Sequence, residues 1–273
     1  MEEIKDLRQF KRHLTQLVAS VLYNFNIKGF LTGTIYQGRL KSFCVPSLNC
    51  YSCPGAVMSC PLGTLQNGVM KIEIKFPYYI LGIILLFSVI LARFICGFLC
   101  PFGFLQDILY KIKTRKLKKN KWTRKATSIK YILLIVFVLI IPIIFDFPAF
   151  CKFICPAGTL GGSIALAIVN EQIREMLHLF FTIKFIVLLI ILVSVVFIYR
   201  SFCRFLCPLG AIYSLFNKIS FVRMKVDENK CTHCNACVKI CLMDIKKVGD
   251  RECIMCGKCI PHCPEAAISG PTP

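Results

Sequence analysis

The chain has 273 residues, of which 56% are hydrophobic and only 18% are charged, and its mean hydropathy is +0.66. A disordered chain is excluded by this hydrophobicity, and soluble domains carry about 25% charged residues. The 18 cysteines lie in too long and too apolar a chain for a small disulfide-rich secreted domain. The composition therefore predicts an α-helical integral membrane protein with dense cysteine chemistry.

Residues 1–76 form the predicted N-terminal region, with a weak apolar segment and a cysteine-rich loop. The first residues lack a positive stretch that runs into an apolar one, and no A-x-A site follows, so no cleaved signal peptide is predicted. The segment 14–36 is moderately apolar but contains Asn24, Asn26 and Lys28. We predict a fourth, weaker membrane span here; the alternative is an amphipathic helix on the membrane surface.

Three strongly apolar runs follow at residues 77–92, 131–145 and 185–199. Each has 15 or 16 residues, slightly fewer than the roughly 17–25 of a membrane span. Flanking Lys and Arg side chains can snorkel and lengthen each span. We therefore predict three strong spans, and the alternative is a set of buried helices in a soluble core.

The net charge of +20 is concentrated in one loop between two of these spans. Residues 111–130 contain ten Lys and Arg residues and no Asp or Glu. Strongly basic segments bind nucleic acid in some proteins, but in membrane proteins they mark cytoplasmic loops. The position between two spans predicts a multi-pass protein of the cell membrane, with no nucleic-acid partner and a cytoplasmic C-terminal region.

The membrane core, residues 77–222, contains a repeated cysteine motif. The sequence C-x3-C-P follows each strong span, and C-P-x-G occurs four times, so the core reads as two similar halves. In a helix, cysteines four residues apart share one face, and the following Pro ends the helix. The three copies provide Cys96 and Cys100, Cys151 and Cys155, and Cys203 and Cys207.

The predicted topology sorts these cysteines into two membrane-boundary sites. The inner site contains Cys96, Cys100, Cys203 and Cys207, and the outer site contains Cys151 and Cys155 with Cys53 and Cys60. Two outer cysteines, Cys44 and Cys50, then remain, and they could form a disulfide because the outer side is oxidising in many cells. Four thiolates suit one iron–sulfur cluster, so one or two clusters are expected here. The alternatives are zinc, disulfides or apolar buried cysteines.

The predicted C-terminal domain, residues 223–273, contains the run C-x2-C-x2-C-x3-C twice. This spacing is typical of two 4Fe-4S clusters in which the fourth cysteine of each run binds the other cluster. Zinc sites more often use two separated C-x2-4-C pairs. His233 and His262 are expected to be spacer residues. The expected ligands are Cys231, Cys234, Cys237 and Cys263 for one cluster, and Cys253, Cys256, Cys259 and Cys241 for the second.

These motifs together resemble the membrane polyferredoxins of the NapH and NosR type. The resemblance rests on Cys96-Gly-Phe-Leu-Cys100-Pro, Cys203-Arg-Phe-Leu-Cys207-Pro and the double-cluster domain, and it covers roughly residues 77–268. It implies four membrane helices, an α+β ferredoxin-like domain with two 4Fe-4S clusters on the cytoplasmic side, and electron transfer in a respiratory or anaerobic redox chain. The expected partners are redox proteins, the lipid bilayer and, as in some relatives, quinol.

The chain departs from that pattern by its outer cysteines and by the lack of the flavin-binding region of the NosR type. We therefore expect an electron-transfer subunit rather than a stand-alone enzyme, with transfer across the membrane if both boundary sites hold clusters. The alternative is a membrane redox or metal sensor that signals to a partner. Asp146 and His178 are candidates for proton or quinol handling at the membrane boundary.

Overall fold

The computed structural model describes residues 2–70, 77–117, 119–171 and 179–271. Most of this chain is helical. The α-helices are α1 Glu2–Tyr23, α2 Ile27–Thr32, α3 Pro61–Met70, α4 Tyr78–Ile90, α5 Phe94–Phe98, α6 Pro101–Tyr110, α7 Lys121–Ala126, α8 Ile129–Leu133, α9 Ile141–Phe145, α10 Ala149–Phe153, α11 Ala165–Val169, α12 Leu179–Phe197, α13 Ser201–Phe205, α14 Pro208–Phe216 and α15 Ala236–Ile240. They are joined in part by π-helical segments at Leu134–Ile140 and Gly158–Ile164, and by 3₁₀ turns at Arg39–Ser42 and Ile260–His262.

Helix α1 buries polar side chains and exposes large apolar ones. Arg12 and Gln16 are fully buried against the protein, at 2% and 0% exposure. The outward face repeats at helical spacing and is apolar: Leu7, Phe10, Leu14, Leu17, Val18, Val21 and Leu22 are all exposed. This arrangement reverses the usual pattern of a water-soluble helix.

The predicted weak span 14–36 was wrong in its boundaries. The helix begins at Glu2 and ends at Tyr23, and a separate short helix follows at Ile27. The break lies at Asn26, whose side-chain Nδ2 donates to the carbonyl of Pro54 over 2.8 Å and whose backbone N–H donates to Gly55. Arg12 lies inside this helix because its charge is paired with Asp107 on the protein side, which hydropathy alone does not reveal.

Helices α7, α8 and α9 with the π-helical segment between them form one rod. Of the described residues, Trp122–Phe145 is the one helix long and apolar enough to cross a membrane, with 24 residues. The wide π-helical turn directly precedes Pro142, which has no N–H to donate and whose ring needs room in the preceding turn. Helices α4 and the apolar part of α12 are shorter, so one of the three predicted strong spans lies in a helix long and apolar enough to cross a membrane.

Helix α4, the rod and helix α12 all have exposed faces made of large hydrophobic side chains. A soluble monomer rarely exposes contiguous apolar patches of more than a few hundred Å². The exposed side chains include Tyr78, Leu85, Leu86 and Ile90 on α4, Ile132, Ile135, Leu139, Ile143 and Ile144 on the rod, and Ile186, Leu189, Ile190 and Val193 on α12.

The C-terminal segment forms a small domain closed by a two-stranded antiparallel sheet. Strand β1, Lys225–Val226, pairs with strand β2, Ile268–Ser269, so the two ends of the segment meet. The chain enters this domain along α4, where the N–H groups of Phe221 and Val222 donate to the last carbonyls of that helix. The domain is therefore held against the end of α4, next to the cysteine motifs that follow it.

Candidate functional site

The repeated C-P-x-G motif is a helix start in which the cysteine is the N-cap. The sulfur accepts the N–H of the glycine three residues later, and Pro occupies the first helical position, where no donor is needed. The N···Sγ distances are 3.4 Å for Cys100, 3.4 Å for Cys155 and 3.3 Å for Cys207. The motif thus fixes one sulfur at a helix N-terminus, where the helix dipole favours negative charge.

The structure brings the four predicted inner cysteines together. Cys96, Cys100, Cys203 and Cys207 are all buried, and the Cys207 thiol interacts electrostatically with each of the other three. They come from two equivalent helix pairs, α5–α6 and α13–α14, which face each other. The side chain of Gln106 donates to Cys203 Sγ over 3.0 Å.

Two buried arginines support this inner site from both sides. Arg93 and Arg200 each lie three residues before the first cysteine of a motif, and both are 0% exposed. Each donates to a backbone carbonyl of the opposite motif: Arg93 Nη1 to Gly210 over 3.0 Å and Arg200 Nη1 to Cys96 over 2.5 Å. Their positive charge offsets part of the negative charge that four thiolates would bring.

Arg200 and Arg12 hold the carboxylate of Asp107 beside the inner site. The two guanidinium groups lie 2.6 Å and 2.8 Å from Asp107 Oδ2. Burial favours the neutral acid, but the charge of Arg200, followed by that of Arg12, holds the pKa of Asp107 well below its usual range. This network ties α1 to α6 and keeps Arg200 in place.

The outer site is a cavity of about 280 Å³ with four cysteines in its wall, Cys50, Cys60, Cys151 and Cys155. Three of the predicted residues are present, but Cys50 stands where Cys53 was expected. Cys53 is buried one step away beside Gly161. Cys50 Sγ lies next to Gly162, which lines the cavity, whereas Gly161, next to Cys53 Sγ, does not.

The outer site repeats a contact of the inner one. Gln66, six residues after Cys60, donates to Cys151 Sγ over 3.1 Å, as Gln106, six residues after Cys100, donates to Cys203. All 18 cysteines are free thiols, so the alternative of a disulfide between Cys44 and Cys50 is not seen; Cys44 Sγ contacts Thr64 instead.

The inner and outer sites lie close to each other. The backbone N–H of Leu48 interacts with the Cys100 sulfur, and that of the next residue, Asn49, with the Cys60 sulfur. One residue step and two such contacts span roughly 10 Å. The predicted topology separated these sulfurs by a hydrocarbon core of about 30 Å. The distance is short because the loop around Leu48 is buried inside the helical core.

The C-terminal cysteines surround two separate cavities in the predicted crosswise grouping. One cavity of about 360 Å³ is lined by Cys231, Cys234, Cys237 and Cys263, and a second, much smaller one by Cys241, Cys253, Cys256 and Cys259. Backbone N–H donation from Ala236 lowers the pKa of Cys234, whereas burial, and then its neighbour Cys256, raises that of Cys241 to about 12. The first set is open to solvent and the second is enclosed.

These four sets fit 4Fe-4S clusters by their chemistry. Each offers four thiols, and in the inner site Arg93 Nε is a buried donor for which the described residues provide no acceptor, as expected where a sulfide acceptor is to bind. Among the described residues, no three His, Cys, Asp or Glu side chains are close enough together for a single metal ion. His262 Nδ1 contacts the carbonyl of Lys258, and His262 lines neither of the two cysteine cavities.

Sequence reasoning missed the supporting polar residues. In the sequence, Gln66 and Gln106 each lie six residues after a C-P-x-G cysteine, and Arg93 and Arg200 each lie three residues before a C-x3-C-P motif. These repeated spacings are the signal that could have identified them. Asp146 is exposed at the end of α9, and His178 lies outside the described residues.

Comparison with known proteins gives a family match and several relatives. Residues 76–120, 130–169 and 179–227 match the family described as 4Fe-4S binding domain, and each stretch contains one C-x3-C-P motif. An uncharacterized protein of Methanocaldococcus jannaschii is 30% identical over 246 residues, covering 86% of this chain and 90% of that protein. No solved structure matches the chain significantly.

Named relatives are more distant. The methylamine utilization ferredoxin-type protein MauN of Methylorubrum extorquens is 27% identical over 241 residues, 84% of this chain and 73% of that protein. The ferredoxin-type protein NapH of Haemophilus influenzae is 25% identical over 197 residues, 67% of this chain and 63% of that protein. The chain therefore belongs to the 4Fe-4S-binding polyferredoxins of the NapH type, a family of iron–sulfur electron-transfer proteins.

Proposed function

We propose that this chain is a membrane-bound electron-transfer protein whose four cysteine sets hold four 4Fe-4S clusters in a row. The first set is Cys231, Cys234, Cys237 and Cys263; the second set is Cys241, Cys253, Cys256 and Cys259. The third set is the inner site, and the fourth is the outer site with Cys50 in place of Cys53. The observation that carries the proposal is that each set is linked to the next by residues adjacent to its cysteines or in contact with them.

The links between the sets are short. Cys259 and Cys263 flank a single 3₁₀ turn and belong to the second and first sets. Gly97, next to Cys96, packs directly on the carbonyl of Ile254, next to Cys253. The inner and outer sites share the Leu48–Asn49 contact, and Tyr213 lies between them, with electrostatic interactions to Cys96 and Cys60. A bound 4Fe-4S cluster supplies one-electron chemistry, and the protein sets its position and potential.

The membrane placement is supported by the exposed apolar faces of α1, α4, the rod and α12. The basic loop lies beside the ferredoxin-like domain, because Lys119 Nζ donates to the carbonyl of Val238 over 3.1 Å. Since basic loops favour the cytoplasmic side, the domain belongs there too. Cys234 of the first set is exposed, so a soluble redox partner would approach at this set.

The test is a count of iron and acid-labile sulfide in the full chain, purified anaerobically in detergent, together with EPR of the reduced sample. Four clusters give about sixteen irons per chain. A C231S variant serves as the control, because it removes a ligand of the first set alone and lowers the count by about four. A count of about eight in the wild type, confined to the ferredoxin-like domain, would refute the proposal.

A further inference from the structure

Arg93 connects the inner site to the second set of the ferredoxin-like domain. Its guanidinium donates through Nη1 to Gly210, whose N–H in turn donates to Cys207 Sγ, and through Nη2 to Glu252 over 3.0 Å. Glu252 directly precedes Cys253 in the chain. One buried side chain therefore joins a sulfur of the third set to the residue before a ligand of the second.

A second, independent contact runs from the backbone of the same residue. The N–H of Arg93 donates to Asn217 Oδ1 over 3.3 Å, and Asn217 Nδ2 donates to the carbonyl of Cys253 over 3.0 Å. Asn217 is fully buried. Both the charge and the backbone of Arg93 are thus fixed relative to the Cys253 loop.

The charges around Arg93 make it more than a structural contact. Its guanidinium interacts electrostatically with Cys96, Cys203 and Cys207, and with Cys253 of the second set. Glu252 is shared with Lys130, whose Nζ lies 2.5 Å from Glu252 Oε1, so the carboxylate neutralises only part of the local positive charge. The unpartnered Nε of Arg93 is available to donate to an acceptor at the inner site.

We propose that Arg93 is a positioning residue. It tunes together the reduction potentials of the clusters bound by the second and third sets, and it holds these two cysteine sets close to each other. This inference rests on the proposed function, since it requires clusters at both sets. Reduction adds one negative charge to a cluster. A buried cation and its hydrogen bonds stabilise that added charge, and hydrogen bonding near the sulfurs is an established determinant of potential.

Arg200 provides a matched control within the same site. It occupies the equivalent position in the other half, is equally buried, and also donates to a backbone carbonyl of the opposite motif. Its carboxylate partner is Asp107 of the membrane core rather than a residue of the ferredoxin-like domain. The two arginines therefore differ mainly in their carboxylate partner, which lies next to Cys253 for Arg93 and in the membrane core for Arg200.

The experiment is a dithionite titration of the full chain followed by EPR, with R93Q, R93K and R200Q compared with the wild type. Iron is counted first, and signals are assigned with variants that lack one ligand of a single set. In R93Q we expect the equilibrium constants for reduction of both the second and third sets to fall about tenfold, a shift of about 59 mV to more negative potential. R93K should recover most of this shift, and R200Q should shift the third set alone.

The outcomes separate this inference from the proposed function. A wild-type iron count below about sixteen contradicts the four-cluster proposal itself. If the wild type contains the full number of irons but R93Q shows no shift in reduction potential, or a shift at one set alone, the proposed role of Arg93 is overturned. If R93Q does not load its clusters, E252Q replaces it: removal of the carboxylate should raise the potentials of both sets, and a rise in one set alone overturns the inference.

Discussion

The substitution of Gly97 by Ala tests a close backbone contact between the membrane core and the ferredoxin-like domain. Gly97 lies in α5 between the two cysteines of the first motif, and a Cβ there would meet the carbonyl oxygen of Ile254 well inside 3.0 Å. That oxygen belongs to the backbone, so it cannot rotate away. The loop that carries Cys253 has to move for the methyl group to fit.

The expected magnitude follows from comparison with an equivalent glycine. Gly82 lies in α4, and a Cβ at that position has nothing within 4 Å. Both changes gain the same helix propensity, up to about 1 kcal/mol. The overlap at Gly97 costs about 1–3 kcal/mol, as for other overpacked sites. We therefore expect G97A to be less stable to unfolding than G82A by about 1–3 kcal/mol.

Two measurements check this expectation in the cluster-loaded protein in detergent. Thermal unfolding followed by circular dichroism compares G97A with G82A and the wild type. EPR of the fully reduced samples reports the magnetic interaction between clusters of the second and third sets, which should weaken in G97A alone because these sets move apart.

The reasoning is refuted if G97A unfolds at the same temperature as G82A and keeps the wild-type magnetic interaction. In that case the Cys96 and Cys253 loops do not approach each other as described here. A loss of stability without a change in the magnetic interaction would limit the contact to a structural role.

Two further predictions concern the Asp107 network and the outer site. D107N should lower the free energy of unfolding by about 3–5 kcal/mol, because Arg12 and Arg200 lose their buried counter-charge. Because the pKa of Asp107 is lowered by folding, its contribution is complete above the ordinary pKa and is lost only as pH falls through the lowered value. The difference in unfolding temperature between D107N and the wild type should therefore stay constant from pH 5 to pH 8, and a steep change in that interval would contradict this assignment. At the outer site, C50S should lower the iron count by about four whereas C53S should leave it unchanged. The reverse result would restore the ligand set expected from the sequence.

From the sequence alone, the spacing predicted how the cysteines of the C-terminal domain group together. Within a C-x2-C-x2-C-x3-C run, the ligands are a few residues apart, so the local backbone decides which sulfurs can meet. The grouping of Cys263 with the first run and Cys241 with the second also followed from this spacing, and the two cavities have the same grouping. Local spacing also identified the C-x3-C-P motifs. In the structure, the second cysteine of each motif is the N-cap of the helix that follows it.

Only the tertiary structure decided how the membrane-core sites relate to each other and to the ferredoxin-like domain. Hydropathy placed the inner and outer cysteines on opposite faces, but the loop that carries Leu48 folds into the core and brings the two sites to roughly 10 Å. The choice of Cys50 over Cys53 depends on the same loop. Contacts between residues far apart in the chain leave no periodic signal in a single sequence.

The polarity of α1 shows the same difference between what the sequence indicates and what the tertiary structure decides. The sequence has Arg12 and Gln16 in a segment of apolar residues, which weakens its hydropathy and shifted the predicted span toward residue 36. In the structure these polar side chains are buried against the protein. Arg12 forms an ion pair with the carboxylate of Asp107, which lies 95 residues away in the chain. A buried charge is stable only beside its partner. The sequence therefore specified which groups the site contains, and long-range packing specified which of them meet.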